Sequence, residues 1–230
     1  MIKISKKVSY ELAYICGALT GDGHIQCKGY RGVVSFYSKN KYEIDNLNNK
    51  IKEILKVNSV IYKDKRDNNC RYKLFFISKD LARFFIIKGV PEKKKTNKIF
   101  FVPDWILNGN NNVKSSYLRG FYDTEGSIFH TKMKNNYIRW RINLIQNKNE
   151  LLKIEGYKFM NQIKSMLNYF GINSSPIRFG KGKLRKDNTK SISILFDIEK
   201  SSFEKFYKHI GFTNKKKMNK LIKVINQLQV

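Results

Sequence analysis

Cysteine, histidine and acidic residues are all scarce in this 230-residue sequence, and each scarcity removes a class of function. The three cysteines, Cys16, Cys27 and Cys70, form no Cys-x-x-Cys pair and no even-numbered disulfide framework. Reduced thiols in an intracellular protein are therefore expected, whether in a prokaryotic cytoplasm or in an organelle. The three histidines do not cluster with a cysteine, so no zinc site is expected. No apolar run reaches the roughly 18 residues that a membrane-spanning helix needs, so no membrane partner is expected. Lys6 and Lys7 precede an apolar stretch in the manner of a secretory leader. Glu11 interrupts that stretch and no small-residue cleavage site comes after it, so no leader is expected.

Acids number 18 against 46 Lys and Arg, a formal net charge of +28. Such an excess repels itself unless a polyanion is the working partner, and nucleic acid is the first candidate. A Lys- and Asn-rich composition inherited from an AT-rich genome would also raise the lysine count. The length allows one large domain or two small ones, with enough apolar residues for real cores.

The chain repeats itself. Gly17 and Gly120, Asp22 and Glu125, and Gly23 and Gly126 are each 103 residues apart. "FYSKNKYEI" from Phe36 resembles "LIQNKNELL" from Leu144 at an offset of 108, and "ARFFIIKGVPEKKK" from Ala82 resembles "EKFYKHIGFTNKKK" from Glu204 at an offset of 122. Order is kept while the offset grows, as a duplication with insertions near Lys132–Asn136 and Gly180–Asn188 would produce. Each copy opens with a capped helix at Ser9 or Ser115. Alternating strands come after it, clearest in "YIRWRINLI", where Ile138, Trp140, Ile142 and Leu144 face one way and Arg139, Arg141 and Asn143 the other. An amphipathic helix comes next (Ile44–Leu55; Tyr157–Tyr169), then two more strands ending in "RYKLFFI" and "SISILFDI", then a closing helix (Lys79–Lys88; Ser201–His209). The expected class is α+β, two αββαββα halves over residues 1–90 and 115–230, with a linker at 91–114 that carries "NGNNN".

The opening helices are apolar on nearly every side apart from one small-residue stripe: Ala13, Gly17 and Gly21 in the first copy, Ser116, Gly120 and Thr124 in the second. Small residues four apart let two helix backbones approach closely, so the two helices are expected to pack on each other. Packing against a sheet would also tolerate glycine. Asp22 and Glu125 would then meet at the negative ends of both helix dipoles, each costing several tenths of a kcal/mol. Two carboxylates about 5 Å apart repel by roughly 3 kcal/mol at an effective dielectric of 20. Divalent cations remove both penalties. Carboxylate oxygens with helix-end carbonyls suit Mg²⁺ or a similar hard ion.

"ICGALTGDG" (Ile15–Gly23) and "LRGFYDTEG" (Leu118–Gly126) resemble the paired motifs of the LAGLIDADG family, which comprises homing endonucleases and related intron maturases. The likeness to single-chain, two-motif members extends over almost the whole sequence. Thr20 departs from the family pattern, where Asp is frequent and where the second copy has Asp123. The resemblance implies a monomer with a pseudo-twofold pair of motif helices at the central interface and a saddle of antiparallel sheets over double-stranded DNA. It implies Mg²⁺ (or Mn²⁺), two or three ions shared between Asp22 and Glu125 with help from Gly21 and Thr124. These would cleave both strands of a long, nearly palindromic site and leave short 3′ overhangs. A histidine mechanism does not fit, because His24 is replaced by Ser127 in the second copy.

The resemblance further implies a polar group at the end of the second strand, Gln146 (with Ser38 at the matching position), and a basic residue late in each half, Lys94 and Lys216. Neighbours in either Lys run could serve instead. The polar strand faces are expected to touch DNA through Gln26, Lys28, Arg31, Ser35, Tyr37, Lys63, Arg71 and Lys73 in the first copy. Phe129, Arg139, Arg141, Asn143, Arg178 and Ser193 are their counterparts in the second. Arg can read guanine and Gln or Asn adenine in the major groove, while other contacts go to phosphate. The copies differ at these positions, so an asymmetric target is expected. An RNA-binding maturase acting on its own intron RNA is the alternative, and a regulator that only binds DNA is a third reading. An intein-embedded nuclease is not expected, since the chain starts at Met1 and ends "QLQV" without a His-Asn junction.

Overall fold

The computed structural model describes residues 6–64, 71–133, 138–185 and 187–228; Cys70 and part of the expected insertion at 132–136 lie outside them. The first copy runs α1 (Lys6–Thr20), β1 (His24–Lys28), β2 (Arg31–Ser38), α2 (Lys41–Leu55), β3 (Val60–Asp64), β4 (Arg71–Ile77) and α3 (Lys79–Ile87). A short 3₁₀ turn (Lys95–Asn97) and α4 (Asp104–Leu107) come next. The second copy runs α5 (Asn111–Glu125), β5 (Gly126–Lys132), β6 (Ile138–Asn149), α6 (Lys153–Tyr169), β7 (Arg178–Phe179), β8 (Lys183–Leu184), β9 (Lys190–Ile198), α7 (Phe203–His209) and α8 (Lys215–Asn226). The α+β class and the αββαββα order both hold, with the short β8 added between β7 and β9 in the second copy. Helix α8 is an addition, and α5 begins four residues ahead of the expected Ser115 cap. No described helix is long and apolar enough to cross a membrane.

Local sequence explains the boundaries. Asn40 caps α2 by accepting from the Tyr42 N–H, its side-chain amide donates to Glu43 three residues on, and its backbone N–H donates to Ser38. Lys56 ends the same helix in a left-handed conformation, φ 51°. Ser78 and Asn214 accept from the third residue of α3 and α8.

Both sheets are antiparallel, ordered β1-β2-β4-β3 and β5-β6-β9-β7, with β8 also on β9. Their registers are equivalent. His24 pairs with Ser35 and Ser35 with Phe75 in one sheet; Ser127 pairs with Asn143 and Asn143 with Asp197 in the other. Those partners differ in number by 103, 108 and 122, the three offsets of the sequence repeat. Strand pairing is specified by which face is apolar, so a duplicated pattern of apolar residues reproduces the register.

The chain forms two compact units, Met1–Lys94 with Pro103–Phe121, and Lys95–Val102 with Tyr122–Val230. Residues 91–114 are thus shared out between them. In the second unit the Phe100 ring meets Phe159 edge-on at 5.0 Å, and the Val102 N–H donates to Gln162 at 2.8 Å. In the first, the Trp105 indole donates to the Lys88 carbonyl at 3.1 Å. The first core lies between one sheet face (Ile25, Val34, Phe36, Leu74, Phe76) and α1, α2 and α3. The second sets Ile142, Leu144, Ile194, Phe196 and Ile198 against α6, α7 and α8. Cys16 is a free, buried thiol that burial pushes up to about 12, opposed by Lys88, so it stays protonated and inert; Cys27 is free and half-buried.

Within the first unit, α1 and α5 touch backbone to backbone. A Cβ at Gly17 would overlap the Tyr117 carbonyl oxygen and sit 3.0 Å from the Phe121 nitrogen; one at Gly120 would overlap the Tyr14 carbonyl oxygen and sit 3.0 Å from the Ala18 nitrogen. Each glycine faces the residue three before the other, so the contact is reciprocal. Ala13 and Gly21 are buried and Ser116 is half-buried. Only glycine fits at the crossing. Gly120→Ala should destabilise the protein by about 2–3 kcal/mol, because backbone must separate to admit the methyl. Urea unfolding of wild type and variant measures the difference.

Candidate nucleic-acid interface

Both motif helices end in the same manner. Helix α1 stops at Thr20, Asp22 is exposed two residues later, and β1 starts at His24. Helix α5 ends on Glu125, half-buried, and β5 starts at Gly126. The closing glycines fold back over the last helical turn: a Cβ on Gly23 would sit 2.6 Å from Leu19 Cα, and one on Gly126 2.6 Å from the Tyr122 oxygen. The acid is therefore held where helix becomes strand. Gly21 donates to the Gly17 carbonyl at 3.1 Å, and Thr124 is half-buried in the last turn of α5. No three His, Cys, Asp or Glu cluster as a metal site among the described residues. A cation at the motif acids would have an all-oxygen donor set of carboxylate and carbonyl, completed by phosphate and water, which suits a hard ion.

Cross-strand pairs define the sheet faces. In the first unit the rows Lys28–Arg31, Gln26–Val33–Ile77, His24–Ser35–Phe75–Val60 and Tyr37–Lys73–Tyr62 share the face opposite the core, with Arg71 at its end. Gln26, Lys28, Arg31, Ser35, Tyr37, Arg71 and Lys73 thus lie together, although Ser35 is 1% exposed. Lys63 does not join them. It pairs with Tyr72 on the other face, because strand β3 starts at Val60 and successive side chains alternate. Tyr62 takes that place instead. In the second unit Thr131–Arg139, Phe129–Arg141, Ser127–Asn143–Asp197, Ile145–Leu195–Arg178 and Asn147–Ser193 share one face, which brings together Phe129, Arg139, Arg141, Asn143, Arg178 and Ser193. Their polar groups are already ordered. Arg178 meets Asp197 at 2.6 Å and Arg141 meets it at 3.8 Å, Ser127 donates to Asn143 at 2.7 Å, and Ser193 donates to Asn147 at 2.7 Å.

A LAGLIDADG-like domain model matches residues 9–88 and 112–211, one match over each copy of the helix-and-sheet repeat. The chain belongs to the LAGLIDADG-like domain family. It is 28% identical over 228 residues to the glutamine–fructose-6-phosphate aminotransferase of Methanocaldococcus jannaschii, covering 99% of this chain but 18% of that protein. The chain therefore spans under a fifth of that relative. Among solved structures it resembles I-DmoI, a single-chain LAGLIDADG homing endonuclease solved with DNA and Ca, at a TM-score of 0.57 and 21% identity over 89% of this chain and 91% of that one. Other forms of I-DmoI were solved with target DNA and Mg or Mn. The full-length DUF199/WhiA protein from Thermatoga maritima is similar at a TM-score of 0.56 and 14% identity, over 98% of this chain and 63% of that one. These likenesses establish the LAGLIDADG fold.

Two lysines in the second unit carry structure that the sequence did not single out. Lys217, in the first turn of α8, donates to the carbonyls of Tyr122 (3.2 Å), Asp123 (2.6 Å) and Gly126 (2.7 Å). It places a cation on the negative end of the very helix that carries Glu125. Asp123 completes the joint by accepting from the Thr213 (3.0 Å) and Asn214 (3.2 Å) backbone N–H groups. Its counterpart Thr20 turns inward and donates to the Cys16 carbonyl at 2.8 Å. Lys94 and Lys216, the basic residues carried over from the family, are both exposed. Among three consecutive lysines, composition alone could not separate 216 from 217; helical phase does, since Lys217 is the residue whose N–H Asn214 caps.

Gln146 pairs with Ile194 on the core face, and its amide oxygen accepts no hydrogen bond from the described residues. Ser38, at the matching place, pairs with Tyr72 on the core face of its own sheet and donates to Glu43 at 2.6 Å. Lys148, two residues beyond Gln146, is 1% exposed. Its ammonium lies 3.6 Å from the Phe100 ring centre and donates to the carbonyls of Lys95 (3.2 Å) and Lys98 (2.6 Å). Burial lowers its pKa to about 7, with Glu155 acting against the shift and Lys95 adding to it.

Lys217→Met should destabilise the protein by about 2 kcal/mol, the scale of hydrogen bonds to a charged donor, with Lys217→Arg recovering part of the loss in denaturant unfolding. For Lys148 the folded state holds the proton less tightly than the unfolded chain. Stability relative to Lys148→Met therefore rises as pH increases from about 7 toward the ordinary lysine value. Unfolding of both proteins across that range checks the sign, and a constant difference would mean that Lys148 keeps its ordinary affinity for the proton.

Proposed function

We propose that this chain is a site-specific homing endonuclease that makes a double-strand break with short 3′ overhangs in a long, nearly palindromic duplex. The observation that carries it is the reciprocal Gly17–Gly120 crossing of the motif helices. Asp22 and Glu125 each stand five residues beyond the crossing glycine, at the same step of equivalent helices. Such a pair suits two hydrolyses, one per strand. Asp22 and Glu125, with the carbonyls of Gly21 and Thr124, hold Mg²⁺ or Mn²⁺. When bound, these ions supply an activated water and neutralise charge on the departing 3′ oxygen. The sheet faces bind the duplex, their Lys and Arg meeting phosphates and their polar side chains meeting base edges. Lys217 steadies the helix end that presents Glu125. The I-DmoI complexes with DNA and divalent ions support this reading by fold.

RNA binding to the host intron is the second use of the same charge. A splicing assay with cognate RNA separates it from nuclease activity.

Asp22→Asn and Glu125→Gln should each lower double-strand cleavage by at least about 100-fold, the scale of losing one preorganised charge-stabilising group. Duplex affinity in calcium should change by less than about threefold. Chelator should abolish cleavage by wild type. Undiminished cutting by either variant, or full activity in EDTA, would refute the assignment.

A further inference from the structure

The two sheet faces share a register but not a chemistry. At equivalent places, Val33 in the first unit stands where the second has Arg141, Ser35 where it has Asn143, and Phe75 where it has Asp197. At those places the second face is a network of donors and acceptors, with Arg141 and Arg178 on Asp197 and Ser127 on Asn143, while Ile145 and Leu195 fill the next row, where the first face has Tyr37 and Lys73. Beyond Gln26, His24 and the buried Ser35, the centre of the first face is apolar and aromatic. Val60 is 54% exposed, Ile77 52% and Tyr62 39%, alongside the half-buried rings of Tyr37 and Phe75. The Lys73 ammonium lies between 5.2 and 5.6 Å from the ring centres of Phe75, Tyr37 and Tyr62, and Arg71 covers Tyr37 at 4.9 Å. Lys28 and Arg31 bound the patch at the other end.

An apolar strip between two cationic margins fits one feature of duplex DNA. Phosphates flank the major groove and meet the margins. Within the groove, the 5-methyl group of thymine is the apolar group on a base edge. Val33, Ile77, Val60 and Phe75 have no side-chain donor or acceptor with which to read any other base.

We infer that the first unit reads its half of the target through thymine methyl groups seated on Val33, Ile77, Val60, Phe75 and Tyr62, whereas the second unit reads its half by hydrogen bonds. This rests on the proposed duplex-binding function and adds which bases each half selects. Burying one methyl on such a surface is worth about a fourfold gain in affinity.

The test uses the full chain in calcium, with duplexes selected from a randomised pool. Replacing single thymines by 5-bromodeoxyuridine and irradiating assigns each half by which residues crosslink. In the half that crosslinks to Tyr37, Tyr62 or Phe75, deoxyuridine in place of thymine should weaken binding about fourfold per contacted methyl. In the other half the change should stay under about 1.5-fold. Phe75→Ser with Ile77→Asn should erase the sensitivity in the first half only. Equal sensitivity in both halves, or tolerance of deoxyuridine in the first, overturns the inference while leaving a selected and cleavable duplex intact. Recovery of no preferred duplex overturns it together with the function beneath it.

Discussion

Two glycines set the terms for everything else in the motif region. With no Cβ at Gly17 or Gly120, the carbonyls of Tyr117 and Tyr14 can approach the opposite helix at backbone contact. Helices ordinarily pack with side chains interposed, at axis separations of about 8–10 Å. Removing them from the crossing brings the motif backbones closer and ties the position along one helix to the position along the other. The residues after each glycine then occupy matching steps: five residues to an acid, six to a glycine that folds over the final turn.

The negative end of a helix is a poor place for a carboxylate, and the second copy offsets that cost within the protein. Lys217 donates to three carbonyls around Glu125, and Asp123 ties the same turn to the start of α8. The Lys run of the first copy is put to a different use. Lys95, the residue offset by 122 from Lys217, opens a short 3₁₀ turn in the second unit and gives its carbonyl to buried Lys148. One duplicated tract has thus taken two structural roles, a clamp on a motif helix and a docking strap over a sheet. The copies diverged where a lysine's long stem can reach different acceptors without disturbing the shared register.

Conservation of register alongside divergence of chemistry is what the fold permits. Apart from Ser38, Gln146 and Lys148, the core-facing residues of the paired central strands are held to apolar identity by burial, so the pairing of β1 with β2 reappears in β5 with β6. Outward-facing residues carry no such constraint, and Phe75 can become Asp197 with no strand moving. A two-repeat chain can in this way keep one architecture and acquire two chemically different sheet faces.

Sequence alone determined the duplication, the α+β order, the presence of an acid at the same step of each motif and most of the outward-facing set, because these rest on local periodicity and on matching short motifs. Alternation in "YIRWRINLI" placed Arg139, Arg141 and Asn143 on one face with no knowledge of the partner strand. It could not place Lys63, since the start of β3 depends on how Val60 pairs with Phe75 across the sheet. Nor could it show that residues 95–102 pack with the second unit and 103–121 with the first, or that Lys217 rather than Lys216 meets the motif helix. Those outcomes hang on contacts between residues distant in the chain, 50 positions for Lys148 with Lys98 and 95 for Lys217 with Tyr122, and a residue's neighbours along the chain carry no record of what folding will bring against it.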